Sequence, residues 1–280
     1  MLPDFPFPVP IGFGAVPAAL DAPRAAGVLW QAAPGALLLE VPDLARMLIT
    51  RDRITVDPLV GNAKLGPFLR RTPLLALTLL RGGIACDASA VAGPDGAVLL
   101  TGRSASGKSA LAAALIARGG RLLADDAAPI LLDDRGAAMV HPVWPELVLW
   151  PDAVESLGSP DWLAAAPSPG FAAPLWTVAA DRFCAEPMPI VAVYRLDGDR
   201  LESEPRFHGI RGVELFARGA LMPYQSAIAE ALVDPLALLR LYGAVAASAR
   251  FEIVHLPRRD LSELDQLADR IAKECGWPSI

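Results

Sequence analysis

The sequence predicts an α/β protein, with a central sheet and flanking helices. Three observations predict it. Short apolar runs bounded by Gly, Pro and Asp alternate with stretches of helical periodicity. The segment Gly102-Arg103-Ser104-Ala105-Ser106-Gly107-Lys108-Ser109 joins a strand-like run, AVLLT, to a helix-like run, SALAAALIARG. The chain has 280 residues, long enough for one large domain or two smaller ones with a sizeable core.

The elements follow in order. The Pro- and Ala-rich first forty residues read as a surface wrap or an irregular strand pair. ALLLEV, MLIT and ITVDP between Ala36 and Pro58 read as strands, with a turn at Asp52-Arg53. Pro67 to Leu80 has a helical pattern, stopped by Gly82-Gly83. IACDASAVA, the Gly93-Pro94-Asp95-Gly96 turn and AVLLT read as a hairpin. Ser109 to Arg118 is a helix, and RLLADD a strand ending in two acids. Pro129 to Trp150 alternates strands and turns, and Pro151 opens a short helix. Gly158 to Pro187 reads as loop and is the candidate for a mobile substrate-side segment. PIVAVYRL is a buried-type strand. Arg211 to Arg218 and Gln225 to Ser248 are helical, the second broken near Pro235. RFEIVHL is a strand. A last helix starts at Asp260, with Glu263 completing a capping-box pattern. The organisation expected is an N-terminal segment, 1–80, packed on a core of 81–280. No internal repeat is visible.

Composition excludes some function classes. Lys and Arg number 25 against 31 Asp and Glu, a net charge of −6, which argues against a general nucleic-acid binder. A local basic pocket remains open. Three cysteines, Cys86, Cys184 and Cys275, lack metal-ligand spacing, read as buried apolar fillers and suit a reducing compartment. The opening residues lack the basic and apolar regions of a signal peptide, so a cytoplasmic location is expected. The most apolar stretches are short, which predicts no membrane span.

The octapeptide matches G-x-x-x-x-G-K-[ST], a loop that cradles the phosphates of a nucleoside triphosphate. Glycines let backbone N–H groups turn inward around phosphate oxygens, and the following helix presents its positive end to the same charge. Gly102, Ser104, Ala105, Ser106, Gly107, Lys108, Ser109 and Ala110 form the expected binding set. Lys108 reaches the β- and γ-phosphates, and the Ser109 hydroxyl ligates Mg2+. The bland alternative is a chance match in a Gly-rich chain. Against it, one of only three lysines falls where the motif demands one. Asp125-Asp126 lies at a strand end after this loop. Such acids suit magnesium binding and activation of a hydroxyl nucleophile, against a solvated turn or helix cap as the alternative.

At these residues the sequence resembles a known family. GRSASGKSALAAALIARGGRLLADDAAPI is similar to the core of the HPr kinase/phosphorylase superfamily, where a P-loop, a helix and a strand ending in Ala-Asp-Asp follow at this spacing. LRGGIACDASAVA, HPVWPELVLWPDAVESLG and LPRRDLSEL resemble an HPr-kinase-like subgroup, some of whose members are encoded beside lasso-peptide biosynthesis genes and phosphorylate a serine of the peptide. The resemblance implies a mixed sheet like that of phosphoenolpyruvate carboxykinase, use of ATP and Mg2+, and a tendency to homo-oligomers. It implies Asp125 as the general base, Asp126 with Ser109 on the metal, and Lys108 on the transferring phosphoryl group. The acceptor it implies is a Ser or Thr hydroxyl of a peptide. A phosphocarrier-protein kinase and a non-catalytic nucleotide-binding module are the rivals.

Departures from the family pattern matter. Asp87 stands where members carry His, and it could accept a proton or a metal in its place. Val148 in LVLWP stands where a metal-contacting Glu is usual. The phosphorylase signature is not recognisable, so neither efficient phosphorylase activity nor dedicated HPr recognition is expected. His141 could approach the substrate or be a satisfied loop histidine. Arg182 could ligate a phosphate or the substrate's acidic end, or form a surface salt bridge. Arg103 could face nucleotide or solvent, and Arg258-Arg259 could be a charged helix entry. Trp144, Trp150 and Trp162 read as core or interface anchors.

Overall fold

The computed structural model describes residues 10–59, 65–69, 71–167, 174–198, 205–211, 214, 226–256 and 261–277. The expected helix start at Asp260, the Arg258-Arg259 pair and most of the expected helix 211–218 lie outside these residues, as does 168–173 of the expected mobile segment. The chain forms two compact units, Met1–Ala85 with Pro223–Leu241, and Cys86–Met222 with Tyr242–Ile280.

In the first unit, alternation builds a sheet. Its strands are β1 (Ile11–Phe13), β2 (Ala25–Ala26), β3 (Trp30–Ala33), β4 (Ala36–Val41), β5 (Ala45–Thr50) and β6 (Ile54–Pro58). The order is β1-β6-β5-β4-β3-β2, antiparallel except for β1 beside β6. Along β5, Ala45, Met47 and Ile49 are buried and the residues between them are not, the period-2 pattern of a half-covered strand. The three strands expected between Ala36 and Pro58 are therefore present. The expected helix over Pro67–Leu80 is two helices, α1 (Gly66–Leu69) and α2 (Thr72–Leu80). Pro73 explains the break, because its ring cannot follow a preceding helical turn. Pro73 to Leu79 are all buried. Thr78 is among them, and its hydroxyl donates to the Leu74 carbonyl at 2.7 Å. Gly82, at φ +88°, ends α2, and the Gly83 N–H donates to the Thr78 carbonyl.

β7 (Ile84–Cys86) ends at the first residue of the second unit, where Asp87 leads into β8 (Ala88–Ala92), which forms the expected hairpin with β9 (Ala97–Gly102). Next come α3 (Lys108–Ala117), β10 (Arg121–Ala124), β11 (Ala128–Leu132), β12 (Ala138–Val140), β13 (Glu146–Val148) and α4 (Pro151–Ser156). Then follow β14 (Leu163–Ala166), β15 (Leu175–Val178), β16 (Met188–Gly198), β17 (Arg206–Gly209) and β18 (Arg250–Leu256). The sheet is mixed. β9, β16 and β18 run parallel, while β8 lies antiparallel between β9 and β10. One face of the sheet, through Val98, Leu100, Leu122 and Leu196, packs with Leu111 and Leu115 of α3 and Ala268 and Ile271 of the helix Leu261–Glu274. The Ala-rich sequence of α3 suits this position, since small side chains admit neighbours on every side.

The segment read as loop, Gly158 to Pro187, holds β14 and β15. They join β13 in an antiparallel sheet of order β13-β15-β14. The Ala-rich β14 carries little strand propensity, and pairing with β15, whose Trp, Thr and Val favour a strand, supplies what its local sequence does not. The helical stretch 225–248 is broken as expected, into Ser226–Leu232 and Pro235–Ser248. No helix among the described residues is long and apolar enough to cross a membrane.

Candidate phosphate-binding site

β9 ends at Gly102 and α3 begins at Lys108, so residues 103–107 make the loop between a parallel strand and a helix. Gly102, Ala105 and Gly107 have φ of +135°, +63° and +98°. At Gly102 a side chain has no room, because a Cβ would lie 2.4 Å from the Leu196 carbonyl oxygen and 2.9 Å from Ser106 Oγ. Gly107 occupies the N-cap of α3 and offers no capping side chain. The first N–H groups of α3 are thus presented to an anion. Ser106 Oγ is buried with no hydrogen-bond partner among the described residues, and a phosphate oxygen would satisfy it.

Lys108 is almost wholly buried. Its ammonium donates to the Gly102 carbonyl at 3.0 Å and the Arg103 carbonyl at 3.2 Å, and pairs with Asp87 Oδ1 at 3.0 Å. An ammonium has three N–H donors, so these contacts match its capacity. The structure therefore brings Asp87 directly onto Lys108, a contact the sequence did not reveal.

The acids follow β10 immediately. Asp125 Oδ1 accepts from Ser109 Oγ at 2.9 Å and from Ser89 Oγ at 2.5 Å, and Asp125 Oδ2 accepts from the Val148 N–H at 2.8 Å. Burial pushes the Asp125 carboxyl up to about 6, against the opposing pull of these hydrogen bonds. The negative charge of Asp126 pushes the same way as burial. Asp126 has φ +69°, a conformation that non-glycine residues adopt at a cost. Sequence reasoning missed Ser89, and it missed the contact that the Val148 N–H makes with Asp125. Ser89 was detectable as the one hydroxyl in an otherwise apolar strand. The Val148 contact was not, because it uses a backbone N–H that any residue but proline could supply.

Arg182 donates to the Ile116 carbonyl at 3.3 Å, at the C-terminal end of α3, roughly 15 Å of helix from the phosphate loop. There a cation offsets the helix dipole, and a phosphate-ligating role does not fit. Arg103 and Ser104 are exposed. The His141 N–H donates to the Pro129 carbonyl, and burial lowers the His141 pKa. Trp162 packs against the core, while Trp150 is exposed. Cys86 and Cys184 are buried, and Cys275 partly so.

No cluster of three or more His, Cys, Asp or Glu placed to hold a metal occurs among the described residues. Magnesium does not require one, since it is held by one or two carboxylates together with substrate phosphates and water. The hard oxygen donors of Ser109 and the acid pair fit that chemistry.

No protein-family model matches the chain, and no curated protein matches it. Among solved structures, the Hpr(Ser) kinase/phosphatase from Coxiella burnetii is similar at 13% identity and a TM-score of 0.33, over 68% of this chain and 98% of that one. This is a weak, distant structural resemblance.

Proposed function

We propose that this chain is an ATP- and Mg2+-dependent kinase that phosphorylates a Ser or Thr hydroxyl of a peptide, specifically a ribosomally made peptide of the lasso type. One observation carries the nucleotide part. The Gly102–Ser109 loop joins a strand to a helix N-terminus, and its final serine bonds to Asp125. The sequence resemblance of residues 81–158 supports the hydroxyl acceptor and the peptide class.

Phosphoryl transfer asks mainly for positioning and charge stabilisation. The loop N–H groups and the start of α3 would bind the phosphates. Lys108 would turn from the loop carbonyls and Asp87 to the β- and γ-phosphates. Ser109 and the acid pair would hold Mg2+, which when bound neutralises phosphate charge. One acid of the pair would also take the proton of the acceptor hydroxyl.

The test is mass spectrometry of a lasso-type peptide encoded beside this gene, incubated with Mg-ATP and the protein, with Lys108→Ala as control. A gain of one phosphate on a serine or threonine, lost in the control, is expected. Nucleotide binding with no transfer to any acceptor would instead support a regulatory nucleotide-binding module. The Asp87 carboxylate held on Lys108 favours that second reading.

A further inference from the structure

We infer that Asp125 works on the metal side of the site, as a positioning residue acting through Ser109, and that Ser89 holds it in that role. This rests on the nucleotide-binding reading above and departs from the assignment that the sequence resemblance implies.

Three hydrogen bonds carry the inference. A serine hydroxyl has one hydrogen, and Ser109 directs it at Asp125 Oδ1, 2.9 Å away. The lone pairs of Ser109 Oγ are then the part left for a hard cation. Ser89 Oγ donates to the same Oδ1, and the Val148 N–H donates to Oδ2. A carboxylate has about four acceptor positions, so three are already committed inside the protein. A proton acceptor needs an open lone pair within reach of the substrate hydroxyl, and Asp125 has little left to offer. A residue that orients a metal ligand needs the reverse, a carboxylate fixed from behind.

Register puts Ser89 in place. β8 lies between β9, which feeds the loop, and β10, which delivers the acids. Ser89 is opposite Leu100 of β9, and its neighbour Ala90 is opposite Ala124 of β10. Ser89 is fully buried in a strand whose other residues are Ala and Val, and its hydroxyl is spent on Asp125. A hydroxyl retained there at the cost of apolar packing has a task.

The test is Mn2+ affinity, read by electron paramagnetic resonance, with a non-hydrolysable ATP analogue bound to the full chain. Metal-free analogue binding is measured in parallel. Asp125→Asn and Ser109→Ala should each weaken Mn2+ binding about 10- to 100-fold. Combining them should cost no more than the worse single change, because both act through one contact. Ser89→Ala should weaken Mn2+ binding several-fold, and Asp126→Asn by less than Asp125→Asn. Metal-free analogue binding of Ser89→Ala should stay within about twofold of wild type. Thermal melts establish that each variant is folded, and Ser89→Ala stands in should Asp125→Asn fail to fold. The inference is overturned if Asp125→Asn, or Ser89→Ala standing in for it, leaves Mn2+ affinity within about twofold of wild type. Additive losses in the double variant overturn it too. A wild-type protein that binds no analogue defeats the nucleotide reading itself, which is a separate outcome.

Discussion

Replacing Asp87 by asparagine removes the only charged acceptor among the three that hold the Lys108 ammonium. At 3.0 Å the Coulomb attraction is about 5 kcal/mol at an effective dielectric of 20 and about 1.4 kcal/mol in bulk water. The Asp87 side chain is 38% exposed, which pulls the value toward the lower end, and the cost of burying Lys108 offsets more of it. A net effect of about 1–2 kcal/mol follows, a factor of roughly 5–30. Its sign differs between states. Without nucleotide, the Asp87→Asn variant should be less stable, because Lys108 keeps its burial and loses its counter-charge. With nucleotide, the phosphates replace Asp87 and no longer face its negative charge. ATP should therefore bind about 5- to 30-fold more tightly to the variant. Isothermal titration of Mg-ATP, paired with thermal melts of the free proteins, reads both. Weaker ATP binding by Asp87→Asn would refute this reasoning. It would mean that Asp87 acts with the bound nucleotide.

Further predictions rest on other contacts. Gly102→Ala forces a side chain against the Leu196 carbonyl at φ +135°, so it should lose at least about 1–3 kcal/mol of stability, together with nucleotide binding. The Asp125 carboxyl is pushed from an ordinary 3.8 to about 6, so the folded state holds its proton more tightly than the unfolded chain. That contribution to stability is complete below about pH 4 and is lost as pH rises through about 6, up to roughly 3 kcal/mol in the metal-free protein. Asp125→Asn removes the slope, so the variant should melt higher than wild type at pH 7, with the gap closing below pH 4. Arg118 bonds Asp265 at 2.7 Å and Asp269 at 2.6 Å across two helices, both acids being exposed. Arg118→Ala should cost about 1 kcal/mol in denaturant melts, less at high salt. Gly120→Ala would place a Cβ 2.6 Å from the Trp277 ring and from Val91, and should cost about 1–3 kcal/mol by overpacking, seen as a lower melting temperature.

Much of the scaffold was written locally. Ala45 to Pro58 alternates, and it folds as strands. The Gly93–Gly96 turn fixes the β8–β9 hairpin, whose register then runs from Ala92 opposite Ala97 to Ala88 opposite Thr101. The Gly102–Ser109 loop was legible as a strand-to-helix connection because strand and helix signals flank it. Leu163–Ala166 was not legible, because its Ala-rich sequence has little strand propensity and becomes strand by pairing with Leu175–Val178, whose own Trp, Thr and Val favour a strand but sit among Pro and Ala neighbours.

The sequence by itself determined the loop, the acids that follow it and the strands and helices around them, since spacing and period are properties of neighbouring residues. Tertiary structure decided the partners. It set Asp87 on Lys108, and Ser89 and Val148 on Asp125, while leaving Arg182 at the far end of α3. Those pairings join residues distant in sequence, up to 66 positions apart, and no local pattern records which strand will lie beside which. A hydrogen bond depends on distance in space, and only the packed sheet fixes that distance.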